Sequence, residues 1–212
     1  MDGLLLNTEP AYALAWKKAA ANFGVMLDDT FLHTLFGQHA DAVENAMRLK
    51  IGARFDRQRF LELAGQYWHA QVDAEGIRLM PGAMETVDLF RESGIPFALA
   101  TNSDSVFADK CLERAGIIGP FSVRVCRNEV ARGKPAPDLF IEAAKRLAVP
   151  ISHALVLEDS ETGLLAAGQA GALPILVNSR PVSEPLRSLA LATFSSLHEV
   201  RTAILAQQSP VA

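Results

Sequence analysis

Apolar residues in the first third of the chain recur with the period of an α-helix. After Thr8, whose hydroxyl can cap a helix N-terminus, aromatic and alanine side chains return every three or four positions. A second stripe follows Asp56, another N-cap residue, and consists of Phe60, Leu63, Tyr67 and Val72. The pattern predicts a helical block from Thr8 to about Ala74, with its aromatic side chains in the core. We expect breaks in this block at Gly24, Gly37 and Gly52.

From Met80 onward the pattern alternates between short apolar runs and amphipathic segments. The amphipathic segments predict helices at 83–92, 105–115, 137–148 and 161–170, and a last helix that includes Val200 and Ile204. The apolar runs predict buried strands at 96–100, 121–125, 154–157 and 174–177. Strands that alternate with helices form parallel sheets covered by helices on both faces. The chain is therefore predicted to be α/β, with a doubly wound parallel sheet and an inserted helical block.

The composition limits the possible partners and compartments. The chain has 212 residues, half of them hydrophobic, and a formal net charge of −4, so it lacks the basic surplus that duplex nucleic acid requires. Cys111 and Cys126 are its only cysteines, and one potential pair is no disulfide framework. No apolar run reaches the length of a membrane span. We predict a soluble, cytoplasmic monomer or weak homodimer that binds neither nucleic acid nor membranes.

Four polar clusters open the chain or follow predicted strands, where doubly wound sheets bind their ligands. They are Asp2-Gly3, Thr101-Asn102-Ser103, Lys134 between Gly133 and Pro135, and Glu158-Asp159-Ser160. A hydroxyl and an N–H group at a strand end can hold a phosphate, and a fixed lysine neutralises it. Adjacent carboxylates after a buried strand favour a divalent cation. A simpler interpretation makes Thr101, Ser103 and Asp159 helix N-caps and Lys134 a solvated surface charge.

Taken together, these clusters resemble the four motifs of the haloacid dehalogenase phosphatases. Asp2-Gly3, followed by Thr8-Glu9, is similar to the family's first motif, in which an apolar strand runs into Asp-x-Asp-Gly. Three further phrases resemble the family or its subgroup of β-phosphoglucomutases and small-metabolite phosphatases, namely Leu79-Met-Pro-Gly-Ala, Gly94-Ile-Pro-Phe-Ala-Leu-Ala-Thr and Gly133-Lys-Pro-Ala-Pro-Asp. The resemblance covers nearly the whole chain. It implies a core domain at 1–8 and 79–212 and a helical cap domain at 9–78.

The resemblance also implies a chemical role for each cluster. Asp2 would act as general acid and base, with its backbone carbonyl on Mg²⁺. Thr101 and the Asn102 backbone would hold the transferring phosphoryl group, and Lys134 would neutralise its charge. The residues that anchor Mg²⁺, directly or through water, would be Glu158 and Asp159. The implied reaction is Mg²⁺-dependent hydrolysis of small phosphomonoesters in two steps, through an aspartyl-phosphate.

The nucleophile of the family, the first aspartate of that motif, would lie one position before Met1, and its strand would also precede Met1. We therefore expect the chain from Met1 to be a truncated reading of a longer protein, catalytically inactive and poorly stable. In the family this strand lies in the middle of the sheet. Each buried hydrogen bond left unmade costs ~1–3 kcal/mol, against a domain stability of about 5–15 kcal/mol. Asn7 replaces an aspartate usual before Thr8-Glu9, which we expect to change only local hydrogen bonding.

The substrate stays open among small phosphorylated metabolites, either sugar phosphates or nucleoside monophosphates. Two of the phrases also resemble pseudouridine 5′-phosphatases. Tyr12 stands about where the mutase branch carries a basic helper, which favours a hydrolase over a β-phosphoglucomutase-like mutase. Gln38, His39 and Arg48 are candidate substrate contacts, although a solvated helix face is the simpler interpretation for each. A catalytically inactive binding or regulatory protein is the alternative from a different functional class.

Overall fold

The computed structural model describes residues 1–36, 38 and 40–208, and the chain divides into two compact units. One unit is Asn7–Ile77, and the other combines Met1–Leu6 with Arg78–Ala212. The predicted break at Gly37 and the candidate contact His39 lie outside the described residues. The first unit is helical and the second is α/β. That the helical unit caps an active site stays a prediction.

In the described residues, the helical unit contains α1 (Glu9–Ala21), α2 (Asp29–His33), α3 (Ala40–Ile51) and α4 (Arg57–Glu75). α1 has a proline in its first turn, but the Thr8 side chain makes no capping hydrogen bond, contrary to the prediction. Asp56 does cap α4, because its carboxylate accepts a hydrogen bond from the Arg59 N–H at 3.0 Å. α4 ends at Gly76, whose φ of 72° lies in the region that favours glycine.

Aromatic and aliphatic side chains fill the core of the helical unit. α1 packs along α4, and Met47 and Phe60 are almost completely buried between the helices. Burial of one such side chain contributes roughly 1.5–3 kcal/mol. The ring of Tyr12 lies 5.5 Å from that of Trp16 and 5.9 Å from that of Trp68, measured between centroids. The predicted assignment of the aromatic stripe to the core is confirmed.

Strands and helices alternate along the α/β unit, as predicted. The strands of the chain are β1 (Leu6–Asn7), β2 (Arg78–Leu79), β3 (Leu99–Ala100), β4 (Arg124–Val125), β5 (Leu155–Glu158), β6 (Leu173–Val177) and β7 (Ala192–Phe194). The helices of this unit are α5 (Ala83–Glu92), α6 (Ser105–Arg114), α7 (Asp138–Arg146), α8 (Glu161–Ala170), α9 (Glu184–Arg187) and α10 (Leu197–Gln208). Single 3₁₀ turns occupy Gly52–Arg54, Arg127–Glu129 and Ile151–His153.

The strands form three short sheets in the part of the chain that the structure describes. β1 pairs with β2, β3 pairs with β4, and the third sheet has the order β5-β6-β7. Pairing within the second and third sheets is parallel, with Leu99 opposite Arg124 and Leu157 opposite Ile175. α7 packs on β3 and β4, and α8 packs on β5 and β6. The prediction of an α/β fold with parallel strands is therefore confirmed, although the sheet is divided between β3 and β5.

Several predicted element boundaries are wrong. The strand predicted at 96–100 is reduced to β3, which in the described residues is paired along one side only. α9 and β7 were not predicted, because both are shorter than the window over which a periodic pattern becomes visible. α5 and α8, in contrast, occupy the predicted residues.

Both cysteines are buried, as predicted for ordinary thiols. Burial raises the pKa of Cys111 to about 12 and the pKa of Cys126 to about 11, so neither is a reactive thiolate near neutral pH. Among the helices described, none combines the length and the apolar character needed to cross a bilayer.

Candidate active site

The carboxyl ends of β3 and β5 bring polar residues together within the α/β unit. Thr101 directly follows β3 and Asp159 directly follows β5. Lys134 comes from the loop before α7, and Asp2 comes from the start of the chain. Hydrogen bonds and close contacts connect these positions into one cluster. We call this cluster the strand-end site and define it as Asp2, Thr101, Asn102, Lys134, Glu158 and Asp159.

Lys134 is a buried cation at the centre of the strand-end site, with only 8% of its surface exposed. Its Nζ donates to the Ala100 carbonyl at 3.1 Å, forms an ion pair with Glu158, and lies 4.8 Å from the centre of the Phe140 ring. Asn102 fixes the loop, because its Oδ1 accepts from the Lys134 N–H at 2.8 Å and its Nδ2 donates to the Lys134 carbonyl at 3.2 Å. The interpretation of Lys134 as a solvated surface charge is therefore wrong.

Glu158 is a buried carboxylate that the site keeps ionised. Burial has the largest effect and raises the pKa of Glu158. The Lys134 ammonium, the N-terminal amine and the hydrogen bonds from Lys134 and Ser160 act in the opposite direction and together hold that pKa below its ordinary value. The Ser160 hydroxyl donates to Glu158 Oε2 at 3.1 Å. A Cβ at Gly163 would collide with the Glu158 carboxylate, so the first turn of α8 leaves room for this carboxylate only if that residue is glycine. The carboxylate is thus fixed from three directions.

Asp159 is partly exposed as a residue, but its carboxyl group lies in an environment that favours the protonated form. Burial and then the negative charge of Glu158 raise the pKa of Asp159 to about 7. The carboxylate lies against the backbone of Gly3, where φ is +74° and where a Cβ would collide with Asp159 Oδ2. The Asp159 carbonyl accepts from Asn178 Nδ2 at 3.2 Å. Two adjacent carboxylates, of which only Glu158 pairs with Lys134, form an environment that a divalent cation stabilises.

The two carboxylate oxygens of Asp2 differ, because one accepts a hydrogen bond and the other is open, meaning that it has no partner among the described residues. Its Oδ2 accepts from the Ser103 hydroxyl at 3.3 Å. Its Oδ1 is buried and has no hydrogen-bond partner among the described residues. A buried oxygen without a partner is unfavourable, so this atom is poised to accept a proton or a ligand's hydrogen bond.

The helices that follow β3 and β5 are not capped by the N-cap candidates Thr101, Ser103 and Asp159. Asp104 caps α6, because its carboxylate accepts from the Phe107 N–H at 3.0 Å. Ser160 caps α8, because its hydroxyl accepts from the Gly163 N–H at 3.2 Å. The interpretation of Thr101, Ser103 and Asp159 as helix N-caps is therefore wrong. Instead, Thr101 Oγ1 accepts from the Ser103 N–H at 3.1 Å within the turn after β3.

The predicted metal ligands come together only in part. In the residues described, no group of three His, Cys, Asp or Glu side chains is placed to hold a metal ion. Glu158 is engaged by Lys134, and the assignment of Asp2, Glu158 and Asp159 to a metal stays a prediction. Asp159 still fits Mg²⁺, because this ion binds through one or two carboxylates and keeps several waters.

Three residues beside the strand-end site contact its carboxylates, and the sequence did not predict these roles. Ser103 and Ser160 each stand third in a predicted cluster and bond a carboxylate, and Gly163 provides the space for one. Both serines follow the end of a predicted strand, and this position indicates that they lie near the site. The carboxylate partner of Ser103 could not be identified from sequence spacing, because Ser103 and Asp2 are 101 residues apart, whereas Ser160 lies only two residues from Glu158.

Sequence comparisons point to one family. A family model described as haloacid dehalogenase-like hydrolase matches residues 1–171. A bifunctional riboflavin kinase/FMN phosphatase of Arabidopsis thaliana is 32% identical over 206 residues, which are 95% of this chain, and the chain spans only 53% of that protein. A Drosophila melanogaster protein named as a probable pseudouridine-5′-phosphatase is 29% identical, over 95% of this chain and 89% of its own length. Hexitol phosphatase A of Escherichia coli is 29% identical, over 87% of this chain and 83% of its own length.

A solved structure supports the same conclusion. The crystal structure of a HAD family hydrolase from Deinococcus radiodurans, with bound phosphate and sodium, matches with a TM-score of 0.79 and 29% identity. The match covers 97% of this chain and 93% of that chain. Because the family model matches most of the sequence and this structure matches the fold, the chain belongs to the haloacid dehalogenase-like hydrolases.

Proposed function

We propose that this protein is a Mg²⁺-dependent phosphatase that hydrolyses phosphomonoesters of small metabolites. The observation that carries the proposal is the strand-end site, in which the buried Lys134 and Glu158 and the carboxyl group of Asp159 lie beside an aspartate oxygen without a partner. These are the groups that phosphoryl transfer needs, namely a fixed cation, a metal-binding carboxylate and a proton carrier. The family and the named phosphatases support the same reaction class.

Asp2 is the proton carrier in this proposal. Ser103 holds Oδ2, which orients the carboxyl group, while Oδ1 stays open to a reactant. In the first step Asp2 donates a proton to the leaving oxygen of the ester. In the second step it takes a proton from the attacking water.

Lys134 and Thr101 bind the transferring phosphoryl group. Lys134 is held in place before any substrate arrives, so its charge needs little reorganisation to stabilise a developing anion. Thr101 Oγ1 accepts from the Ser103 N–H, which leaves its own proton available as a donor to a phosphoryl oxygen. The backbone N–H of Asn102 would provide a second donor beside it.

The Mg²⁺ ligands in this proposal are Asp159, the backbone carbonyl of Asp2, and Glu158 directly or through water. When bound, Mg²⁺ neutralises charge on the phosphoryl oxygens. Because the pKa of Asp159 is about 7, a proton competes with the cation for this carboxylate. Cation affinity should therefore rise with pH from about 6 to 8.

The nucleophile in this proposal is the side chain of an aspartate that directly precedes Met1 in a longer chain. Its carboxylate attacks phosphorus, and the ester oxygen leaves as an alcohol after taking the proton of Asp2. Water then attacks the aspartyl-phosphate, which releases inorganic phosphate and returns a proton to Asp2.

The substrate class in this proposal is sugar phosphates and nucleoside monophosphates, with pseudouridine 5′-phosphate as one specific candidate. Hexitol phosphatase A is named for a sugar-type phosphate, and the Drosophila protein is named for a nucleoside monophosphate. Hydrolysis is favoured over mutase chemistry, because Tyr12 packs against Trp16 and Trp68 in the helical core and provides no basic side chain.

The test is phosphate release by a chain extended at its N-terminus with an apolar run that ends in Phe-Asp. We expect release from at least one ester in a panel of hexose phosphates, hexitol phosphates and nucleoside monophosphates, and loss of that release in EDTA. Conversion of glucose 1-phosphate to glucose 6-phosphate without free phosphate would replace the hydrolase with a mutase. A folded, extended protein without activity on any member would contradict both.

A further inference from the structure

The short turn after β4 contacts the loop after β3, which carries part of the strand-end site. This turn consists of Arg127, Asn128 and Glu129, and we call it the β4 turn. The Arg127 N–H donates to the Ser103 carbonyl at 2.9 Å. Asn128 makes two further bonds, because its Oδ1 accepts from the Ser105 N–H at 2.9 Å and its Nδ2 donates to the Ser105 hydroxyl oxygen at 3.0 Å. The β4 turn therefore holds this loop through both its backbone and a side chain.

The β4 turn is itself fixed to the rest of the α/β unit. Glu129 Oε2 accepts from the Cys126 N–H at 2.7 Å, and Glu129 Oε1 accepts from Arg146 Nη1 at 2.9 Å. The same Arg146 nitrogen donates to the Arg124 carbonyl at 2.7 Å, and Arg146 Nε donates to Glu142 on α7 at 2.9 Å. Hydrogen bonds between charged groups are stronger than those between neutral groups. The β4 turn is therefore a fixed support for the loop after β3.

Ser103 connects this support to Asp2. The Ser103 hydroxyl donates to Asp2 Oδ2 at 3.3 Å, its N–H donates to Thr101 Oγ1 at 3.1 Å, and its carbonyl accepts from the β4 turn. Because the backbone of Ser103 is held on both sides, the direction of its hydroxyl depends on where the loop lies. Asn128 restrains the same loop two residues further on, at Ser105. A displacement of about 1 Å in a catalytic group can cost on the order of a hundredfold in rate.

We propose that Asn128 is a positioning residue, which acts through Ser105 and Ser103 on the carboxyl group of Asp2. Asn128 is not part of the strand-end site. It keeps the loop after β3 in the conformation in which the Ser103 hydroxyl meets Asp2 Oδ2, so that Oδ1 stays directed at a reactant. The effect of Asn128 on the reaction rests on the proposed function, whereas its hold on the loop does not depend on activity.

The first test is amide hydrogen exchange of the 212-residue protein, which reports local opening and is followed residue by residue by NMR. Asn128→Ala should raise the exchange rates of the Ser105 and Ser103 N–H groups roughly tenfold or more. Because both bonds of Asn128 are exposed, the melting temperature should fall by less than about 4 °C. Asn128→Asp should restore slow exchange, because a carboxylate can accept both the N–H and the hydroxyl proton of Ser105.

Asn22→Ala is the matched control. Asn22 is an exposed asparagine of the helical unit that also makes two hydrogen bonds, to the Lys18 carbonyl and to the Tyr67 hydroxyl. Its replacement should leave the exchange of both serine N–H groups within about twofold of the original rates.

The second test compares two esters in a chain extended at its N-terminus with the apolar run that ends in Phe-Asp. The alcohol of a hexitol phosphate needs a proton from Asp2 to leave, whereas p-nitrophenol leaves readily as an anion. Asn128→Ala should lower kcat/KM roughly tenfold or more for the hexitol ester, but less than about threefold for p-nitrophenyl phosphate. Asn128→Asp should restore the hexitol value. In a Ser103→Ala background, Asn128→Ala should change that value less than about twofold, because the residue that it positions is already gone.

Several results would overturn the proposal. Faster exchange at Ser105 alone would make Asn128 only a partner for the first N–H of α6, without an effect on Ser103. Equal losses with the two esters, or additive losses in the double variant, would exclude an effect through Asp2. An extended chain that is inactive on both esters, but in which the exchange of Ser103 still depends on Asn128, would contradict the proposed phosphatase and support the positioning of the loop.

Discussion

Replacing Asp159 with asparagine should stabilise the protein above pH 7. The side chain keeps its shape but loses a charge that burial and Glu158 make unfavourable. The pKa of Asp159 is about 7 against an ordinary value of 3.8. At about 1.4 kcal/mol for each pKa unit, ionisation of Asp159 costs up to about 4 kcal/mol in the folded state. Because Glu158 shares part of this repulsion, we expect a gain of ~2–4 kcal/mol for Asp159→Asn.

The sign of the pH dependence follows from the same pKa. Between about pH 4 and pH 7 the folded protein holds a proton on Asp159 that the unfolded chain has lost, so stability falls as pH rises. Asp159→Asn removes this slope. The difference in stability between variant and wild type should therefore be small at pH 4, grow up to pH 7 and stay constant above it.

Thermal unfolding in EDTA, followed by circular dichroism at pH 5 and pH 8, measures this difference. For a chain of this size, ~2–4 kcal/mol corresponds to about 4–16 °C in melting temperature. Glu92→Gln is the matched control, because it removes one negative charge from an exposed position. A variant that melts at or below the wild-type temperature at pH 8 would refute the assigned repulsion between Asp159 and Glu158.

Further predictions concern the same unit. Lys134→Met should destabilise the fold by about 3–5 kcal/mol in urea unfolding, because it leaves the buried Glu158 carboxylate without its cation. Gly163→Ala should destabilise by ~1–3 kcal/mol, because its Cβ would collide with that carboxylate. Gly168→Ala, in the same helix with open space around it, should instead stabilise by about 0.5–1 kcal/mol. Both cysteines should react with iodoacetamide at pH 8 only after denaturation, because burial raises each pKa to about 11 or above.

The sequence predicted the elements whose signals are local. α5 and α8 combine an apolar stripe with glycine near their ends, and both were placed on the correct residues. β3 was predicted too long, because pairing with neighbouring strands decides how far a strand extends. An apolar run such as 96–98 indicates burial but does not show whether a partner strand exists.

The sequence predicted which residues follow the strand ends, but not how they interact. Lys134 and Glu158 are 24 residues apart, and only the fold brings the loop before α7 to the carboxyl end of β5. The pKa of Glu158 is lowered and that of Asp159 is raised, and this difference also depends on the fold. The Glu158 carboxylate faces Lys134, whereas the Asp159 carboxylate lies against Gly3. Sequence alone gave these two carboxylates the same role.

The central claim is that the strand-end site hydrolyses phosphomonoesters once a carboxylate precedes Met1. The most direct measurement compares two extended chains that differ only in that residue, aspartate or asparagine, in steady-state phosphate release with Mg²⁺. We predict turnover by the aspartate chain and a loss of at least a thousandfold in the asparagine chain, with both chains equally folded. Equal turnover by the two chains, or ordinary enzymatic rates from the 212-residue chain itself, would contradict the account.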